Sequence, residues 1–148
     1  MSAERNVRTN VAFYPPQGDG GAWCVTAECL ERALGEAFAG ASVECRVSGI
    51  RGASVLDFEI PLAPGVWIDG TASTAEPDCA YVVLTDVTAD EAAAFGRWLR
   101  DSFVPAPHLV WFASSLAVAN GEQGPWPLPA EGGSEVIAAE LRRHLGSV

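Results

Sequence analysis

Residues 43–60, with the sequence VECRVSGIRGASVLDFEI, decide the fold class of this chain. Apolar and polar residues alternate in both halves of the stretch, which is the period of a strand with one buried and one solvated face. Residues 49–52 contain two glycines and predict a turn between the halves. Because strands joined by a short turn run antiparallel, the stretch predicts a β-hairpin with one face in water.

Three helices are predicted, each from an apolar stripe with helical spacing. In one of them, Thr88 and Glu91 have the spacing of a capping box, in which each side chain accepts a hydrogen bond from the backbone N–H of the other. That helix therefore begins at Thr88. The three predicted helices run from Asp19 or Thr26 to Gly40, from Thr88 to the prolines at 105 and 107, and from Ser134 to Leu145.

Further strands are predicted on both sides of the hairpin. Residues 7–13 alternate as the hairpin does. Residues 81–85, YVVLT, are apolar almost throughout, which is typical of a central strand covered on both faces, and residues 109–113 form a similar segment. Residues 66–68 are a short apolar segment, after which residues 69–78 are predicted to form a polar loop. A last short strand is predicted at residues 116–119.

The order of these elements predicts an α+β fold. A mostly antiparallel sheet of four to six strands, with two or three helices packed on one face, accommodates both the short turns and the helical connections. A ferredoxin-like βαββαβ core with additions also fits this order. With 148 residues, the whole chain from 1 to 148 is expected to be a single domain.

Composition excludes several classes of partner and location. The chain has 19 acidic and 9 basic residues, a net charge of -10, which opposes binding to nucleic acid or to an anionic membrane surface. Residues 1–10 lack the apolar segment of a signal peptide, and no apolar stretch approaches the length of about 20 residues that spans a membrane. We therefore expect a cytoplasmic protein with reduced cysteines. All nine bases are arginine, a usage typical of a GC-rich bacterial genome.

The residues that commonly carry catalysis or metals do not form a motif. The closest cysteines, Cys24 and Cys29, are separated by four residues instead of the two of a zinc knuckle. His108 precedes a predicted strand, and His144 lies in a last helical turn, where positive charge is favourable. The glycine-rich residues 17–21 match neither phosphate-binding motif. The sequence thus predicts no catalytic residue, cofactor or metal, although it leaves enzymatic activity open.

The acidic residues are unevenly distributed. Residues 52–96 contain no base but eight of the 19 acids, and two of these, Asp57 and Glu59, share a strand face. Trp67 and Trp126 lie in segments expected at the surface, where aromatic residues anchor partners. Trp98 and Trp111 are expected in the core. The residues predicted to bind a partner are Asp57, Glu59, Trp67, Asp69, Glu76, Asp78 and Trp126.

These features favour a non-catalytic module whose acidic face binds a basic protein partner, such as an immunity protein, an antitoxin or an adaptor. One alternative is a small enzyme or ligand-binding domain with a pocket near His108, Asp57 and Glu59. Another is a structural component of a phage or an assembly. Homodimerisation through a sheet edge or an apolar patch is a separate hypothesis.

Overall fold

The computed structural model describes residues 8–16, 27–47, 54–75, 79–104, 106–115, 121 and 126–145. Within these ranges the chain forms one antiparallel sheet of seven strands and three α-helices. The strands are β1 (Thr9–Tyr14), β2 (Ser42–Val47), β3 (Ser54–Ala63), β4 (Val66–Ala75), β5 (Cys79–Val87), β6 (Trp111–Ser114) and β7 (Trp126–Pro127), and the helices are α1 (Ala27–Ala37), α2 (Ala89–Trp98) and α3 (Ser134–Leu145).

The strand order in the sheet is β2-β3-β4-β5-β1-β6-β7. Strands β2 to β5 form a meander, and β1 is inserted between β5 and β6. Because β5 and β6 are both antiparallel to β1, they are parallel to each other, and α2 connects them as in a split β-α-β unit. The predicted α+β class is confirmed, but the seven strands exceed the four to six predicted.

Strand β4 accounts for part of that difference. The prediction of a polar loop over residues 69–78 is wrong as far as Ala75, because this segment continues the strand. Residues 70–73 all lie opposite β5 residues, and the small Gly70 and Ala72 are buried on the side of the sheet that faces the helices. The segment is rich in Gly, Ser, Thr and Ala, so it resembles a loop in sequence although its backbone is paired on both sides.

Other local predictions are confirmed. Residues 43–47 and 54–60 lie in the antiparallel strands β2 and β3, with Val43 opposite Phe58. The Thr88 hydroxyl accepts a hydrogen bond from the Glu91 N–H (3.2 Å), and the Glu91 carboxylate accepts one from the Thr88 N–H (3.0 Å). Helix α3 has the predicted bounds, Ser134–Leu145. The candidate cap residues of the first helix, the glycine-rich segment 17–21, the turn at 49–52 and the strand at 116–119 lie outside the described residues.

The hydrophobic core lies between the three helices and one face of the sheet. Phe95 of α2 is at its centre, and its ring centroid is 5.9 Å from that of Phe13 on β1 and 5.9 Å from that of Phe58 on β3. Phe38, just after α1, stacks on the same ring. Aromatic contacts through Phe95 therefore connect α1 and α2 to strands on both sides of β5.

We expect Gly70→Ala to lower the free energy of unfolding by about 1–3 kcal/mol, the range for overpacking a core. A Cβ at position 70 would lie 2.3 Å from the Cζ of Phe58, and that ring is held against Phe95. Urea denaturation measures the change. Gly35→Ala is the matched control, because nothing lies within 4 Å of a Cβ on this helical residue. The control is expected to be neutral or stabilising, and equal losses in both variants would contradict the packing argument.

The buried Arg100 forms hydrogen bonds with the segment that connects β7 and α3. A π-helical turn, Leu99–Phe103, extends α2 and directs the side chain of Arg100, 4% exposed, into the protein. Its guanidinium donates two hydrogen bonds to Asp101 (2.6 and 2.9 Å), one to the Pro129 carbonyl (2.9 Å) and one to the Gly132 carbonyl (2.6 Å). The hydrogen bond from Arg100 holds the pKa of Asp101 below its ordinary value.

Candidate functional site

The face of the sheet opposite the helices, called the open face from here on, is the candidate functional surface. Side chains alternate along each strand, so residues between the core positions point away from the helices. None of α1, α2 and α3 packs on this face. The residues that point from it include Trp67 and Tyr81, which are 51% and 41% exposed. Two surface depressions lined by described residues lie here, with a volume of about 420 Å³ each.

Four carboxylates meet on the open face at β2, β3 and β4. Glu44 lies directly opposite Asp57, and Glu59 lies directly opposite Asp69. Side chains in such cross-strand positions have Cβ atoms about 5 Å apart, and like charges there destabilise a sheet. We call these four residues, Glu44, Asp57, Glu59 and Asp69, the acidic cluster; all four line one of the two depressions.

Most of the acidic cluster lacks an ion-pair partner among the side chains that the structure describes. The Thr71 hydroxyl donates a hydrogen bond to Asp57 (3.2 Å). Among the described residues, Glu44, Glu59 and Asp69 form no ion pair. Five arginines pair with carboxylates outside the cluster, namely Arg8 with Glu91, Arg97 and Arg100 with Asp101, Arg142 with Asp90, and Arg143 with Glu140.

The predicted partner-binding residues do not all share this surface. Asp57, Glu59 and Asp69 come together, and Trp67 lies two residues before Asp69 on the same side of β4. Trp126 lies on the opposite face, in register with the core residue Phe112 and 5.7 Å from its ring. Glu76 and Asp78 lie outside the described residues. Of the other acids in the base-free segment, Asp90 and Glu91 are paired with arginines at the start of α2.

Sequence reasoning missed Glu44, which the structure adds to the cluster. Its signal was present in the hairpin, since the β2-β3 register sets Glu44 against Asp57. Glu44 lies outside the base-free segment 52–96, so the charge composition of that segment does not reveal it. Backbone pairing thus defines the acidic surface better than charge runs along the chain do.

A second depression on the open face is apolar. Ala12, Val83 and Ala113 lie side by side on β1, β5 and β6, and we call these three residues the apolar basin. Tyr14 borders the basin; its ring is 6.2 Å from that of Tyr81, and burial raises its pKa. Trp111, predicted in the core, lies opposite Tyr14 on the open face and is only half-buried. The prediction for Trp111 is wrong because the strand alternation places Phe112 inward instead.

The pocket expected near His108, Asp57 and Glu59 is not assembled by the sheet order. His108 is exposed in a short 3₁₀ turn, Pro107–Leu109, that precedes β6. Asp57 and Glu59 lie on β3, and β4, β5 and β1 separate β3 from β6. Four strand spacings amount to roughly 19 Å, which is too far for joint acid–base action.

Metal-binding residues do not converge in the part of the chain that the structure describes, where no group of three or more His, Cys, Asp or Glu could hold an ion. Cys29 is exposed on α1, and Cys24 lies outside the described ranges. Among the described helices, none has the length and apolar character needed to cross a bilayer. Comparisons with protein-family models, with curated proteins and with solved structures find no match to this chain.

Proposed function

We propose that this protein is a non-catalytic binding module whose open face docks a basic protein partner. The observation that carries the proposal is the acidic cluster: two like-charged pairs in direct cross-strand register, three of whose four members form no ion pair within the described residues. Lysine or arginine side chains of a partner would supply the missing positive charge. Electrostatic complementarity of this kind sets the specificity and rate of association.

The cost of the cluster supports a functional reason for it. Like charges placed directly opposite in a sheet lower stability by a few tenths of a kcal/mol up to about 1 kcal/mol per pair. By contrast, three carboxylates on or just after α2, namely Asp90, Glu91 and Asp101, each contact an arginine. Unfavourable local arrangements that persist in a folded protein are expected where a binding surface needs them.

Trp67 completes the surface as an aromatic anchor. It is 51% exposed at one end of the cluster, and its neighbour two residues along β4 is Asp69. Large aromatic side chains beside charged groups are common among the residues that dominate binding energy. An immunity protein, an antitoxin or an adaptor with a cationic target would use such a surface.

Self-assembly through the same surface is less favourable. Pairing the open faces of two identical chains would bring two acidic clusters together, and each chain already has a net charge of -10. The repulsion would oppose association at low salt. An assembly role would therefore have to use a different surface, such as the β2 edge.

The proposal is tested by affinity capture from the native host with three baits. They are the wild type, Asp57→Arg/Glu59→Arg, and Glu28→Arg/Glu31→Arg, which makes the same charge change at exposed positions of α1. We expect one basic protein to be retained at about 50 mM salt by the wild type and the α1 variant, lost by the β3 variant, and released as salt rises. Equal retention by all three baits, or no salt dependence, would overturn the proposal.

A further inference from the structure

We infer that the element docked on the open face is a basic amphipathic helix of the partner, with its apolar stripe on the basin and its basic flank over the acidic cluster. This inference rests on the proposed function and specifies the partner's chemistry. The other occupants, a second copy of the chain or one of its own segments, give different results in the test below.

The first argument is that the open face is apolar at the centre of the sheet. The sequence of β5 is that of a strand covered on both faces, yet α1, α2 and α3 all pack on the same face of the sheet. Val83 of β5, with Ala12 and Ala113 on the strands beyond it, forms the apolar basin on the other face. A central strand with this pattern implies a covering layer, which the partner would provide.

The second argument is that the basin and the acidic cluster are continuous. Val83 lies directly opposite Thr71 on β4, and Thr71 donates its hydroxyl hydrogen to Asp57. Three strand spacings separate β1 from β3, or roughly 14 Å. An element that covers the basin is therefore within side-chain reach of the carboxylates.

The third argument concerns the size and polarity of the occupant. An α-helix with its side chains is about 10–12 Å wide, and an amphipathic helix has an apolar stripe at least about 100° wide flanked by polar residues. Such a helix, lying over β5 and β1, would place apolar side chains on the basin and basic side chains of its flank toward Asp57, Glu59 and Asp69. A strand would instead pair with an edge of the sheet.

The test uses two synthetic peptides as probes. One is an 18-residue helix of leucine and lysine with all leucines on one face, and the other has the same composition with leucines distributed around the helix. We expect the amphipathic peptide to bind the wild type at least about tenfold more tightly than its scrambled counterpart. Fluorescence anisotropy of labelled peptide measures both dissociation constants, and the ratio is expected to persist at about 300 mM salt.

The variant Ala12→Gln/Ala113→Gln fills the basin with polar groups and is expected to abolish the tenfold preference. Its control, Ala94→Gln/Ala139→Gln, changes two exposed helical alanines and is expected to retain it. Thermal melting establishes that each variant folds. Equal binding of both peptides, or a preference unchanged by the basin variant, would overturn the inference.

Two further outcomes would also overturn it. A wild-type dimer in sedimentation that dissociates in the basin variant would identify a second copy as the occupant. A basin variant that melts well below the wild type and its control would identify a segment of the chain itself. The proposed function would survive any of these results if the capture experiment still depends on Asp57 and Glu59.

Discussion

Asp57→Arg/Glu59→Arg is expected to slow association with the basic partner at least about tenfold at low salt. Charged surfaces raise association rates by factors of about 10 to 10³, and this variant reverses the sign of the charge at the centre of the cluster. Dissociation should change less than association, because rim charges act mainly on the encounter. Surface plasmon resonance at several salt concentrations separates the two rates.

The same variant is expected to fold with nearly wild-type stability. The arginine introduced at position 57 would face Glu44, and that at position 59 would face Asp69, so two like-charged pairs become opposite pairs. Replacing a like-charged pair by an opposite-charged pair stabilises the fold by up to about 1 kcal/mol. Loss of the hydrogen bond from Thr71 to Asp57 offsets part of this gain. A decrease of more than about 3 kcal/mol in the free energy of unfolding would show that these carboxylates stabilise the fold.

The control for this prediction is Glu28→Arg/Glu31→Arg on α1. It changes the net charge of the chain by the same amount, at exposed positions on the helical side of the protein. Beyond a Debye length of about 10 Å at 0.1 M salt, exposed charges act weakly on each other. The association rate is therefore expected to fall by less than about threefold, and equal slowing in both variants would attribute the effect to net charge alone.

The features that the sequence predicts well are those formed by residues close together in the chain. The Thr88–Glu91 capping box and the β2-β3 hairpin depend on residues close together in the chain, and both are formed. The part of β4 after Ile68 was predicted as a loop because its Gly, Ser and Thr residues have loop-like preferences, which pairing on both sides overrides. Predicting this part of β4 as a strand requires knowing that β5 pairs with it.

On the open face, too, contacts between residues close in sequence are predictable and contacts between distant residues are not. The pairing of Glu44 with Asp57 is contained in one hairpin, so its prediction needed only the register. The apolar basin depends on β1 lying between β5 and β6, and the inward orientation of Trp126 depends on β7 pairing with β6. Those contacts join residues far apart in sequence, and no local pattern specifies them.

Arg100→Met is expected to lower the free energy of unfolding by about 3 kcal/mol. The substitution keeps most of the aliphatic chain but removes the hydrogen bonds from the charged guanidinium to the carbonyls of Pro129 and Gly132. Hydrogen bonds to a charged group contribute roughly 1.5–3 kcal/mol each. For a domain of this size the melting temperature should fall by roughly 6–12 °C. Arg97→Met is the matched control, because Arg97 is 55% exposed and contacts the same Asp101 at 3.6 Å.

We expect Arg97→Met to lower the free energy of unfolding by less than about 0.5 kcal/mol, because exposed ion pairs contribute little to stability.

The pH dependence of stability provides a second test of the Arg100 prediction. Because the folded-state pKa of Asp101 is lowered, its ion pair with Arg100 stabilises the protein above the ordinary value of 3.8, and this contribution is lost as pH falls through the folded pKa. The stability difference between wild type and Arg100→Met should thus narrow below about pH 4 without vanishing, since the carbonyl bonds do not titrate. Similar losses for Arg97→Met and Arg100→Met would mean that burial of the guanidinium contributes nothing.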